Sequence, residues 1–306
     1  MNRHATEGHY ADRRKIAPGL RPDMTPDDDD RVEIGPTPLA YAEWAALGLE
    51  CPDLPRMRAH RHRRIVDALA RAGLDAVLLT DPLNIRYATD APNMQLWNTH
   101  NPFRACLVTA SGHMALWEYK GLDHLVAHNP LVKEVLNGAG LFYFNVGDRA
   151  EPAAAEFVAS VESVMAAQGG TGRRLAADKL MRVAFSAFAA RGIEVLDGEE
   201  VMEKARAVKG PDEIRALRCA QASCEAAVAE MRAAMRPGMT ENDVWAELHA
   251  GNIRRGGEWI ETRLLASGPR TNPWFQECGP RRIREGDILA WDSDLIGVYG
   301  MCVDIS

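Results

Sequence analysis

The chain predicts an α/β N-terminal domain followed by a second, α+β domain. Three observations carry that reading: helical periods alternate with short apolar runs between residues 56 and 198, two long amphipathic segments follow Pro211, and turn-bounded strand-like runs occupy Glu258 to Ser306. A length of 306 residues suits two domains, and a hydrophobic share of 46% supplies their cores.

Residues 1–55 read as an arm, rich in Pro and Asp and without a sustained apolar period. The run Asp27 to Asp30 lacks the oxygen spacing of a calcium loop and reads as solvated. The apolar stretch AYAEWAALGL is expected to pack on the body or on a second subunit. Residues 56–198 are the α/β domain. It opens with a basic amphipathic helix carrying Ile65, Leu69 and Ala72, which Gly73 ends. A buried strand, Ala76 to Thr80, comes next, then the strand pair FRACLVT and MALWEY around Ser111-Gly112. A helix near 151–167, the strand RLAAD, a helix near 180–191 and the strand IEVLDG complete it.

Residues 199–306 form the second region. Pro211, Asp212 and Glu213 begin a helix as the macrodipole prefers, with Ile214, Leu217, Cys224, Val228, Met231 and Met235 as its apolar stripe. Arg236-Pro237-Gly238 stops it, and Thr240 with Asp243 three residues on caps the next helix. The strand EWIETRLLASG then enters the loop PRTNPWFQECGPRRIREGD, which leads to ILAWDSD.

Composition excludes several classes. A net charge of −7 provides no field for nucleic acid, and no apolar run approaches the roughly 20 residues of a membrane span. The first residues have no apolar core and do not read as a secretory signal. Six cysteines without a CxxC pair read as reduced thiols of a cytoplasmic protein. His60 and His62 lie two apart on a helix and face different ways, so they are not expected to share a metal. No HExxH, GxGxxG or GxxxxGK[ST] occurs.

The stretch WDSDLIGVYGMCVDIS carries the chemistry. A two-residue strand period puts Asp292 and Asp294 on one face beside Ala290 and Ile288, and Asp304 arrives on the return strand. Carboxylates among apolar neighbours repel and resist desolvation, which a cation resolves. Oxygen donors suit magnesium, manganese, iron or zinc. A hairpin with solvated acids at its tip accounts for the spacing equally well.

The phrases VKGPDEIRALRCA, RPGMTENDVWAEL and GDILAWDSD…GVYGMCVDIS resemble the creatinase, prolidase and methionine aminopeptidase superfamily, and LDAVLLTDPLNIRYAT is similar to the start of its N-terminal domain. The resemblance covers about residues 56–306 and implies a pita-bread second domain. It also implies a metal pair held by Asp292 and Asp304, with a His, two Glu and the general base expected beyond Ser306, so that the second domain is expected to be cut short. Departures narrow the reading. Superfamily peptidases carry a His after the SG loop, where this chain reads Asn272, Pro273 and Trp274. Asp294 replaces the Gly of D-x-G, and the Asp292 to Asp304 spacing is one residue longer than usual.

With SGPRTNPWFQECGP, these departures closely resemble the DddP-type dimethylsulfoniopropionate lyases. That resemblance implies iron, a small zwitterionic substrate, a homodimer, and release of dimethyl sulfide and acrylate. Aromatic faces hold a sulfonium by cation–π attraction, so Trp97, Trp274, Phe275 and Tyr299 are the substrate-binding candidates. The alternatives are a metal-dependent Xaa-Pro dipeptidase or aminopeptidase, and a non-catalytic pita-bread binding module. Loss of the SG-loop His speaks against the first and the three acids against the second.

Overall fold

The computed structural model describes residues 34–138, 140–169 and 174–306, which form two compact units. One unit is Pro55–Gly210, and the other joins Ile34–Leu54 to Pro211–Ser306. The expected solvated run Asp27–Asp30 lies outside the described residues. No helix among the described residues is long and apolar enough to cross a membrane.

Ile34–Leu54, expected as part of an arm, contributes helix α1 (Pro38–Ala46) to the second unit. Trp44 explains why: the indole is fully buried and donates its Nε1–H to Ser223 Oγ at 3.2 Å. Glu43 accepts two 2.7 Å hydrogen bonds from the buried Arg255, which also pairs with Glu230.

The first unit begins with α2 (Leu54–Ala72), then β1 (Ala76–Leu79), α3 (Pro82–Thr89) and α4 (Gln95–His100). The hairpin β2 (Ala105–Thr109) and β3 (Met114–Glu118) turns at Ser111-Gly112, where Gly112 takes φ +86°. Next come β4 (Val132–Asn137), α5 (Ala150–Ala167), β5 (Arg174–Ala177), α6 (Arg182–Ala190), β6 (Glu194–Asp197) and α7 (Glu199–Ala207). The six strands form one mixed sheet in the order β4-β3-β2-β1-β5-β6, antiparallel only where β1, β2 and β3 meet.

Both faces of that sheet are covered, so β1 is apolar at every position rather than alternating. Val77 and Leu79 face Ile65, Leu69 and Ile85, whereas Ala76 and Leu78 face Phe157, Val158 and Val161. The unit extends past residue 198 because α7 buries Val201, Met202 and Ala205 in the first of these clusters.

In the second unit, α8 (Pro211–Ala234) and α9 (Glu241–Arg254) follow one another. The buried face of α8 differs from the stripe of large apolar residues. Ala216, Cys219, Ala220, Ser223, Cys224, Ala227 and Met231 are buried, whereas Ile214 is 41% exposed. Small side chains win because backbone comes close: a Cβ on Gly251 of α9 would meet Ala227 Cβ at 2.8 Å. The capping box of α9 is formed, Thr240 N–H donating to Asp243 Oδ2 at 2.8 Å and Asp243 N–H to Thr240 Oγ1 at 3.1 Å. Five short strands complete the unit: β7 (Trp259–Ile260), β8 (Leu265–Ser267), β9 (Leu289–Trp291), β10 (Leu295–Ile296) and β11 (Cys302–Val303). They form a β8-β9 pair and a three-stranded β11-β10-β7 sheet.

Candidate metal centre

The three acids sit where the chain changes sheets. Asp292 extends the β8-β9 ladder by one bond, its N–H donating to Leu264 O at 2.9 Å. Ser293 N–H already donates to Ile305 O at 3.1 Å, beside β11, and Leu295 then pairs with Ile260 and Val303. The strand expected to run unbroken through Asp292 and Asp294 therefore ends at Trp291, and the acids lie on a corner. Asp294 makes the turn with φ +38°, left-handed backbone that Gly adopts freely and that Asp tolerates better than most residues. This accounts physically for the Gly at that place in D-x-G segments.

Ser293, fully buried, holds the corner closed. Its Oγ accepts the Ile305 N–H at 2.7 Å, tying the corner to the residue after Asp304. Thr262 donates its hydroxyl to Asp294 Oδ2 at 2.7 Å, fixing that carboxylate from β7's flank.

Oxygens of Asp292, Asp294 and Asp304 all lie within 4.8 Å of one another. Among the described residues, none of the three is paired to a Lys or Arg. The hydrogen bond between Asp292 and Asp304, partial burial and the charges of Asp304 and Asp294 push the Asp292 carboxyl up to about 6. Three converging hard oxygens without a facing cation fit a divalent metal ion, whose charge would relieve that repulsion.

The loop with Trp274 and Phe275 leaves β8 at Ser267, opposite Leu289, and returns beside the acids' end of the ladder. There Cys278 N–H donates to Arg263 O at 2.8 Å, and Leu264 bridges Glu277. Glu241, fully buried at the start of α9, pins both ends of the loop. It accepts from Ser267 N–H at 2.9 Å, Ser267 Oγ at 2.8 Å, Gly279 N–H at 3.0 Å and the Arg270 guanidinium. Trp274 and Phe275 have ring centroids 6.1 Å apart, and Phe275 is 75% exposed with φ +69°.

The chain is similar to the dimethylsulfoniopropionate lyase DddP of Roseovarius nubinhibens, at 56% identity over 97% of this chain and 69% of that protein. The corresponding protein of Roseobacter denitrificans is 54% identical over the whole of this chain and 69% of its own length. The chain belongs to the DddP dimethylsulfoniopropionate lyase family. Residues 61–208 match the Creatinase/Prolidase N-terminal domain and residues 215–306 the Metallopeptidase family M24. The fold is that of the Xaa-Pro dipeptidase from Bacillus anthracis, with a TM-score of 0.60 at 22% identity over 81% of this chain and 63% of that one. The pita-bread expectation for the second unit, with a creatinase-like first unit, therefore holds.

Of the expected DddP site residues, the structure converges Asp292, Asp294 and Asp304 and places Trp274 with Phe275 on the Glu241-pinned loop. Tyr299 is buried and stacks on Trp44 with centroids 5.9 Å apart, so its ring packs on α1 within the second unit. Trp97 belongs to the first unit, is 41% exposed and meets His100 and Phe144 edge-on. Ser293, Thr262 and Glu241 escape sequence reasoning. Glu241 alone leaves a trace there, as an acid in a first helical turn, which the macrodipole explains without a tertiary role.

Proposed function

We propose that this chain performs the carbon–sulfur lyase reaction of its family, cleaving dimethylsulfoniopropionate to dimethyl sulfide and acrylate. The 56% identity to a DddP lyase over nearly the whole chain carries this reading. The reaction moves the proton alpha to the carboxylate onto a general base while neutral dimethyl sulfide departs from the beta carbon. No acid is needed for that leaving group. The acidity of the alpha C–H is what must be raised.

Asp292, Asp294 and Asp304 would hold the metal ion, iron being the assignment that the family resemblance favours. When bound, the ion supplies a Lewis acid for the substrate carboxylate, whose charge rises as the alpha proton leaves. Trp274 and Phe275 offer the sulfonium aromatic faces, each about 0.5–2 kcal/mol. Trp97 is a third candidate face, and Tyr299 supports the second unit from within. The protein acts as a cytoplasmic homodimer.

A peptidase of the same superfamily is the competing reading. Asn272, Pro273 and Trp274 stand where its SG-loop His belongs, which leaves Lewis-acid chemistry while removing help for amide hydrolysis. Headspace gas chromatography for dimethyl sulfide, run beside a proline-release assay on the same preparation, tests the choice. Sulfide without proline is expected, and proline without sulfide would sink the proposal.

A further inference from the structure

A cavity of about 200 Å³ lies within the first unit, lined by side chains of α3, α4, β2 and α5 and by the segment Lys179–Met181. It is smaller than the roughly 300–1,000 Å³ of sites for drug-sized ligands and holds a molecule of a few heavy atoms. Leu141, Phe157 and Met181 form an apolar wall, and Arg104 and Lys179 bring two cationic side chains to the same space.

Arg104 is the unusual member. It is 2% exposed, its Nε–H donates to Glu118 Oε2 at 2.5 Å and its Nη2–H to Ala91 O at 3.0 Å. Its Nη1 is buried and has no hydrogen-bond partner among the described residues. An unmatched buried donor on a charged group has lost its water without gaining an acceptor, so a fold rarely leaves one beside a cavity without something to accept from it. Glu118 does not supply that bond: its oxygens accept from Arg104 Nε, Asn93 Nδ2 and the Tyr119 N–H, and none of these contacts reaches Nη1. Lys179 is 67% exposed at its side chain and pairs with Asp81, which has other donors in Leu83 N–H and Asn84 N–H. Its ammonium is therefore able to swing to an incoming anion without stranding Asp81.

We propose that this cavity binds a small monocarboxylate, with the carboxylate on Arg104 Nη1 and Lys179 Nζ and a short apolar tail on Leu141, Phe157 and Met181. The site lies wholly within the first unit and does not depend on the lyase assignment. A carboxylate matches it because one oxygen takes the Nη1–H and the other reaches the ammonium, while a tail of two or three carbons meets the apolar wall.

Titration calorimetry of the full chain with sodium propionate tests this, with 1-propanol as the tail lacking the charge. Propionate is expected to bind and propanol not to. Arg104→Lys keeps a cation against Glu118 but removes the guanidinium fork, and Met181→Trp fills the cavity while leaving the ion pair intact. Each is expected to weaken propionate about tenfold or more, a loss of about 1.4 kcal/mol, with Asp304→Asn binding as the parent does. Heat absent up to about 10 mM propionate overturns the proposal. Binding that survives Met181→Trp, or that disappears in Asp304→Asn, also overturns it, because the carboxylate is then held elsewhere or at the acid corner. Should Arg104→Lys fail to fold, Met181→Trp decides alone.

Discussion

Asp90 in the first unit and Asp292 in the second are the same residue in opposite electrostatic settings. Asp90 is 4% exposed and lies at 2.7 Å from Arg58 Nε, at 3.9 Å from Arg61 Nη1 and in contact with Arg86. Burial opposes its ionisation, and Arg86, Arg58 and Arg61 outweigh burial, holding the carboxyl below its ordinary value. Asp292 faces Asp304 and Asp294 instead, and is pushed up to about 6. A buried acid whose partners are all present serves the fold. A group of acids that the fold drives together without a cation is held at an energetic disadvantage, which a ligand can relieve.

The sharpest break in that comparison is Asp304→Asn. Dimethyl sulfide release is expected to fall at least about a hundredfold, since loss of the metal's charge stabilisation removes several kcal/mol from the transition state. Bound metal by elemental analysis should fall with it, while the thermal midpoint of the metal-free protein stays level or rises, because one repelling charge has gone. Unchanged metal content would show that the three acids do not form the centre. Asp90→Asn should do the reverse. Removing the carboxylate charge that faces Arg58, Arg61 and Arg86 is expected to destabilise the first unit by about 3–5 kcal/mol in denaturant unfolding, as when one partner is removed from a buried ion pair.

Acidity separates the two regions by sign. Asp90 has a lowered pKa, so its contribution is present above the unfolded value of about 4 and is lost as pH falls through the folded one. Asp292 has a raised pKa, so in metal-free protein its contribution is present below the unfolded value and is lost as pH rises through about 6. Acidification from pH 7 to 5 should therefore stabilise the metal-free acid corner of the second unit and leave the ion pairs of Asp90 intact, a contrast that residue-resolved hydrogen exchange reads. Metal must displace that proton, so affinity should weaken about tenfold per pH unit below about 6. Affinity that is flat across this range would mean that Asp292 is not a ligand.

Smaller effects belong to the loop. Glu241→Gln turns one of the acceptors at a site filled by donors into a donor, and is expected to cost about 1–3 kcal/mol of stability and to raise KM for dimethylsulfoniopropionate by loosening Trp274. Trp274→Ala should raise KM roughly threefold to thirtyfold, the equivalent of about 0.5–2 kcal/mol, with kcat nearly unchanged if the indole grips ground and transition states alike. A fall in kcat alone would assign the ring to the chemistry.

Local physics was enough to read much of this protein from its residues. Periodicity located α2, α5, α8 and the hairpin of β2 and β3, Thr240 and Asp243 announced a cap that is formed, and the spacing of Asp292, Asp294 and Asp304 pointed to a shared centre. Each of these depends on side-chain types and spacings within short stretches of the chain, about a dozen positions for the acids. Tertiary structure decided what depends on distant partners. The small face of α8 is buried because Gly251 lets α9 approach, Ile34–Leu54 joins the second unit because Trp44 finds Ser223 and Tyr299, and the acids meet on a corner that Ser293 ties to Ile305. Glu241 gained its role the same way, from donors at Ser267, Arg270 and Gly279. A side chain's type and spacing show what it can offer, but only packing in three dimensions determines which distant groups take up that offer.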